Sequence, residues 1–157
     1  MHLAGTLDRT DRAILRALQN DARISNKALA DQVGLAPSTC LERVRSLHTR
    51  GVIRGYHADV APAALGRDQQ ALIAVRIRPH TREIVDTFWR HVLDQPETVA
   101  VFHVSGADDF LVHASFRDPA HLRDFLLDRV AVRPEVAHLE THLIFAQERR
   151  PVLEPLE

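Results

Sequence analysis

The dipeptide Pro96-Glu97 recurs 38 residues later as Pro134-Glu135, each time between a stretch of helical apolar period and a β-rich one. A strand-helix-strand unit used twice leaves few ways to pack. The first unit reads as a strand over 70–78, an amphipathic helix over 83–93 with Ile84, Val85, Phe88, Trp89 and Val92 on one face, and a strand over 98–105. After Gly106 the order repeats: a strand over 109–116, a helix over 119–131 carrying Leu122, Phe125, Leu126 and Val130, and a strand over 136–145. Two helical crossovers predict a four-stranded antiparallel sheet with both helices on one face, a ferredoxin-like βαββαβ (ACT-like) domain. The opposite face lacks helical cover, yet the strands carry apolar residues on both parities, as in Val101 beside Phe102 and Leu111 beside Val112. Such a face is expected to meet a second copy, making a homodimer.

Upstream the period is helical. Asp8 suits the N-cap of a helix carrying Ile14, Leu15 and Leu18, with Asp11 three residues on. Ser25 suits the cap of a second, with Leu29, Ala30 and Val33 apolar, and Gly34 stands where a left-handed C-terminal residue is wanted. Pro37 opens a third, lined by Cys40, Val44 and Leu47 and closed by Gly51. Small Ala30 at the crossing and Gly34 in the turn are what a helix-turn-helix needs. The fold class is therefore α+β: an N-terminal three-helix helix-turn-helix domain over 1–51, a strand at 52–59 and linker to 66, the sheet domain over 67–146, and an exposed tail over 147–157.

With Cys40, Val44 and Leu47 inward, Ser38, Glu42, Arg45 and Thr49 of the third helix point out, and Thr39, Arg43 and Ser46 lie at the edge. These groups suit base edges and phosphates of double-stranded DNA. A plain three-helix bundle with a solvated face is the alternative. Charge favours the first reading modestly: residues 1–60 carry nine Lys and Arg against six Asp and Glu, whereas 61–157 carry eleven against fifteen. Cys40 reads as a core residue, with a redox sensor as the sharper alternative.

Composition, at 45% apolar and 26% charged, is that of a globular protein. One cysteine excludes an internal disulfide and a cysteine-rich zinc cluster, and the start Met1-His2-Leu3-Ala4 shows no export pattern. A cytoplasmic protein without a membrane partner is expected. Ten histidines invite a metal reading, with His103 and His113 about the Gly106 turn and His138 and His142 on the last strand. No helical H-x-x-x-H, nucleophile elbow, phosphate loop or dinucleotide fingerprint accompanies them, so neither an enzyme nor a cofactor is expected. A metal- or small-molecule-sensing regulator built on the sheet histidines is the second functional reading.

Several motifs in fixed order carry a family resemblance. Leu7-Asp8-x-x-Asp11-x-x-Ile14-Leu15, Arg23-Ile24-Ser25, Leu29-Ala30, Gly34-Leu35-x-Pro37-Ser38, Cys40-Leu41-Glu42-Arg43-Val44-Arg45-x-Leu47, Gly51-Val52-Ile53-x-Gly55-Tyr56, Val104-Ser105-Gly106-x-x-Asp109-Phe110 and Pro134-x-Val136 through Thr141 resemble the Lrp/AsnC family of transcription regulators. The resemblance implies a DNA-reading N-terminal domain and an effector domain that dimerises, often assembling into octamers, with an amino acid or similar effector at an interface. It places effector-binding residues at Gly106, Ala107, Asp108, Asp109 and Thr141. A glycine turn followed by aspartates offers both an acceptor for an ammonium group and backbone N–H groups for a carboxylate; a simple hairpin turn, and an ordinary strand threonine, are the alternatives. Two departures stand out. Ala36 occupies the position of a capping Ser, leaving Thr39 and Glu42 as a T-x-x-E pair to replace it, and Glu135 occupies a position usually Gly. At the turn, Ala107 replaces the first acidic residue of the family's Gly-Asp-x-Asp.

Overall fold

A computed structural model describes residues 6–156; Met1-His2-Leu3-Ala4, read as showing no export pattern, lies outside them. The chain divides into two compact units, one holding the residues through Ala58 together with the tail from Glu148, the other Asp59–Gln147.

The helical unit contains α1 (Arg9–Asn20), α2 (Asn26–Val33) and α3 (Pro37–Thr49). Asp8 caps α1 by accepting from the Asp11 N–H at 2.7 Å, and Ser25 caps α2 by accepting from Ala28. Gly34, at φ 71°, ends α2 in the left-handed conformation that the tight turn into α3 requires. Ile14, Ala17, Leu29, Ala30, Cys40 and Leu47 form the core, and Ile53 joins them. The start of α3 differs from expectation. Ala36 provides no side-chain cap, and Thr39 does not replace it, because Thr39 is already the third helical residue. Pro37 at the first helical position has no N–H needing a partner, and the Asn26 amide donates to the Pro37 carbonyl at 2.8 Å, tying α2 to α3.

The expected strand at 52–59 is absent. The N–H groups of Val52 and Ile53 both donate to the Leu47 carbonyl, closing α3, and Ile53 is buried among the helices. Among the described residues this unit has no other strand to pair with, and β propensity without a partner makes no ladder.

In the second unit a 3₁₀ turn at Pro62–Leu65 leads into β1 (Gln69–Ile77), α4 (Arg82–Leu93), β2 (Thr98–His103), β3 (Phe110–Phe116), α5 (Pro119–Phe125) and β4 (Val136–Ile144). The sheet order is β2-β3-β1-β4 with every pair antiparallel, the ferredoxin-like arrangement. The helix expected over 119–131 changes at Leu126 into a π-helical segment, Leu126–Ala131. Ala71, Ile73, Val75 and Ile77 of β1, with Phe110, Val112, Ala114 and Phe116 of β3, pack against Phe88 and Val92 of α4 and Leu122 and Phe125 of α5. The other parity brings Leu72, Ala74, Leu111 and Phe102 to the face without helices, where Phe102 is half exposed. Glu135 disturbs nothing: it lacks positive φ, accepts from Arg133 at 2.7 and 2.9 Å, and its carbonyl accepts from the Arg78 N–H at 2.7 Å.

Phe88 is fully buried with its ring 4.9 Å from that of Phe110. Phe88→Ala is expected to cost about 3–5 kcal/mol of this unit's stability, measured by urea unfolding followed through the fluorescence of the single tryptophan, Trp89.

Candidate DNA-reading face and effector turn

Placement of α3 begins with charge rather than with apolar contact. Asp8 lies just before α1 and Asp11 in its first turn, on the side facing α3. The Arg43 guanidinium donates to Asp8 Oδ2 at 2.7 Å and to Asp11 Oδ1 at 2.8 Å, and Arg50 reaches Asp11 Oδ2 at 3.4 Å. Asp11 is only 5% exposed, so these arginines replace the water its carboxylate would otherwise need. The Asp11 N–H and then the Arg43 guanidinium hold the Asp8 carboxyl below the usual carboxylate range, while the two carboxylates push Arg43 up. Arg43, expected at the edge of the DNA-facing side, is thus engaged by α1.

The remaining predicted residues, Ser38, Thr39, Glu42, Arg45, Ser46 and Thr49, are all exposed on α3. The Thr49 hydroxyl bonds back to the Arg45 carbonyl at 3.1 Å, whereas the Arg45 guanidinium has no ion pair among the described residues. One polar, singly cationic helix face results. Cys40 is fully buried behind it, and burial pushes its thiol up, away from the reactive thiolate.

At the other candidate site, Gly106 adopts φ 133° with open space where a Cβ would stand. Asp109 is heavily committed. Its N–H donates to Val75, its Oδ2 accepts from the Ile77 N–H at 2.8 Å and from Arg78 at 3.3 Å, and its Oδ1 lies 3.4 Å from His80 Nε2. Asp108 differs: its Oδ1 is shielded from solvent without a hydrogen bond, 3.6 Å from Arg76, while Arg76 donates to the Ala107 carbonyl at 2.6 Å. Arg76, Arg78 and His80 escaped sequence reasoning, although alternate arginines at the end of a strand opposite two aspartates were a readable signal. Thr141 stands apart. It pairs with Ile73 on β4, beyond β1 from the turn and about 10 Å further along the strands, so one chain does not bring it to Asp108 and Asp109.

The sheet histidines do not converge. His103 pairs with Phe110 and stacks on its ring at 5.0 Å, whereas His113 pairs with Leu72 on the opposite face and meets Gln70 at 2.7 Å. Among the described residues no group of three His, Cys, Asp or Glu side chains is placed to hold a metal ion.

Comparison with known proteins matches residues 7–48 to the AsnC-type helix-turn-helix domain and residues 70–152 to the Lrp/AsnC ligand binding domain. The chain is 44% identical over 142 residues to the HTH-type transcriptional regulator AldR of Mycolicibacterium smegmatis, covering 90% of this chain and 83% of that one. It is 36% identical over 141 residues to the leucine-responsive regulatory protein of Rhizobium meliloti, covering 90% of each. Among solved structures, the complex of transcriptional regulator NMB0573 with L-Met from Neisseria meningitidis superposes with a TM-score of 0.86 at 32% identity, over 92% of this chain and 94% of that one.

Asp11→Ala leaves the guanidinium of Arg43 short of a partner and is expected to lower helical-unit stability by about 1.5–3 kcal/mol, the range for hydrogen bonds to charged groups. For Asp8 the expectation concerns pH. Its carboxyl is depressed in the folded chain, so the unfolded chain takes up the proton first. The contribution is present above the ordinary carboxylate range, near pH 4, and disappears as pH falls through the lower folded value. Acid titration of stability should therefore be flatter below pH ~4 in Asp8→Asn than in the parent.

Proposed function

This chain belongs to the Lrp/AsnC family of DNA-binding transcription regulators, and we propose that it reads double-stranded DNA with the exposed face of α3 while an amino-acid-like effector on the sheet domain sets its assembly. It is a regulator and not an enzyme. The observation that carries the DNA assignment is the division of labour between two arginines two positions apart: Arg43 anchors the helix, and Arg45 is presented outward among Ser38, Thr39, Glu42, Ser46 and Thr49. An anchored helix with one outward cation and several short polar groups suits readout in the major groove.

For the effector, the Gly106–Asp109 turn is the site the residues favour. Asp109 fixes the turn to the end of β1, and Asp108, whose Oδ1 makes no hydrogen bond and lies 3.6 Å from Arg76, supplies the carboxylate that an ammonium group would meet. Thr141 reaches such a ligand from a second copy rather than from the same chain. The chain pairs as a homodimer through the helix-free face and closes further into octamers; Thr141, opposite Ile73 on the helix-covered side, lies outside that face. Any effector acts by binding one assembly more tightly than another. The L-Met complex of the Neisseria regulator supports the amino-acid class. We also take the protein to act in the cytoplasm; among the described residues no helix is long and apolar enough to cross a membrane.

Selection of bound duplexes from a random-sequence library tests the DNA reading: the parent should enrich a defined motif, and Arg45→Ala should bind more weakly and enrich less. Equal enrichment by both would place the reading surface elsewhere. For the effector, a thermal-shift screen of the twenty amino acids should find a stabilising ligand. Asp108→Asn should weaken that ligand by about 1.5–3 kcal/mol, the worth of a charge-assisted hydrogen bond, measured by calorimetry. Unchanged affinity would leave the turn as a simple hairpin.

A further inference from the structure

The tail beyond β4 is exposed, as its sequence suggests, yet it is seated. Leu153 donates its N–H to Gln19 Oε1 at 2.9 Å and accepts at its carbonyl from Gln19 Nε2 at 3.2 Å, so one side-chain amide imitates a strand partner for the tail. One residue on, the Glu154 carboxylate accepts from the Arg16 guanidinium. Gln19 and Arg16 stand three apart on α1, on the side away from Ile14 and Ala17. Leu153 and Glu154 line grooves with Leu15, Arg12 and Arg16 on either side of that ridge. The same helix carries at its other end the carboxylates that hold Arg43 of α3. Only residues 145–147 separate the end of β4 from this tail, so the chain enters the helical unit a second time directly from the sheet.

We propose that residues 148–156 are a strap of the DNA-binding unit: docked on α1, they hold it in place, and through Asp8, Asp11 and Arg43 they hold the recognition helix in its DNA-binding arrangement. The paired main-chain bonds to Gln19 supply the specificity and the exposed Glu154–Arg16 pair adds little alone. Only residues 145–147 lie between β4 and the strap, so the chain itself links the end of the sheet to α1. The inference rests on the DNA-binding role of α3, and its structural half is measured without DNA.

Hydrogen exchange by mass spectrometry is compared for the full chain, a chain ending at Gln147, Gln19→Ala, Arg16→Glu, Glu154→Arg and the double charge reversal, with affinity for a random-sequence duplex at fixed salt as a second readout. Alanine favours helix at least as well as glutamine, so faster exchange in Gln19→Ala reports the lost strap and not a weaker helix. Truncation and Gln19→Ala should each speed exchange of α1 amides by about fivefold, the effect of roughly one net hydrogen bond, with α4 and the sheet unchanged. Both should weaken duplex binding, and the double reversal should recover what either single reversal loses. Unchanged α1 exchange in Gln19→Ala and in the truncated chain overturns the strap. Faster exchange with unchanged or tighter duplex binding overturns its link to the recognition helix; should the truncated chain fail to fold, Gln19→Ala decides both points.

Discussion

The carboxylates of Asp8 and Asp11 on the Arg43 guanidinium fix where α3 stands. Apolar packing of Ile14, Leu29, Ala30 and Leu47 brings the helices together but is tolerant of small rotations. Charge-assisted bonds at 2.7 and 2.8 Å are not tolerant in that way. Since Asp11 is almost wholly buried, no water replaces an arginine that swings away. The clamp also sorts the cations of α3. Arg43 is spent on the fold, so Arg45 and its polar neighbours form a face whose chemistry is left for a partner.

The sheet unit shows the same economy. Its helices cover one face over the two central strands, and the odd positions of β1 from Ala71 to Ile77 are buried there. The even positions meet Phe102, Leu111 and His113 on the helix-free side, where a half-exposed phenylalanine is poorly served by water. At one end of this sheet the Asp109 carboxylate caps the Ile77 N–H and gathers Arg78 and His80, which turns a glycine-containing loop into a rigid feature of the strand end.

Local signals dominated what could be read from sequence. Asp8, Ser25 and Gly34 act at their predicted helix ends because capping depends only on neighbours in the chain. The doubled strand-helix-strand order likewise follows from alternating periods, and the sheet strands fall within two residues of expectation. What failed depended on distant partners. The β-rich run at 52–59 has no strand beside it, and its first two N–H groups go to Leu47. Thr39 and Glu42 have capping spacing but sit inside α3, which begins at Pro37. Of the candidate sites, the exposed face of α3 was legible from its helical period. The engagement of Arg43 was not, since an ion pair across more than 30 residues leaves no periodic trace, whereas Arg76 and Arg78, alternating at the end of a strand, were a readable signal for Asp108 and Asp109.

The most direct test of this account is the salt dependence of duplex DNA affinity in Arg43→Ala and Arg45→Ala beside the parent chain. A cation that neutralises a phosphate contributes about one unit to the slope of log affinity against log salt. Arg45→Ala should flatten the slope by about that amount with stability unchanged, whereas Arg43→Ala should destabilise the helical unit and leave the slope of its folded fraction as in the parent. A flattened slope with full stability in Arg43→Ala would make Arg43 a phosphate ligand, and would contradict the clamp on which the rest of the account stands.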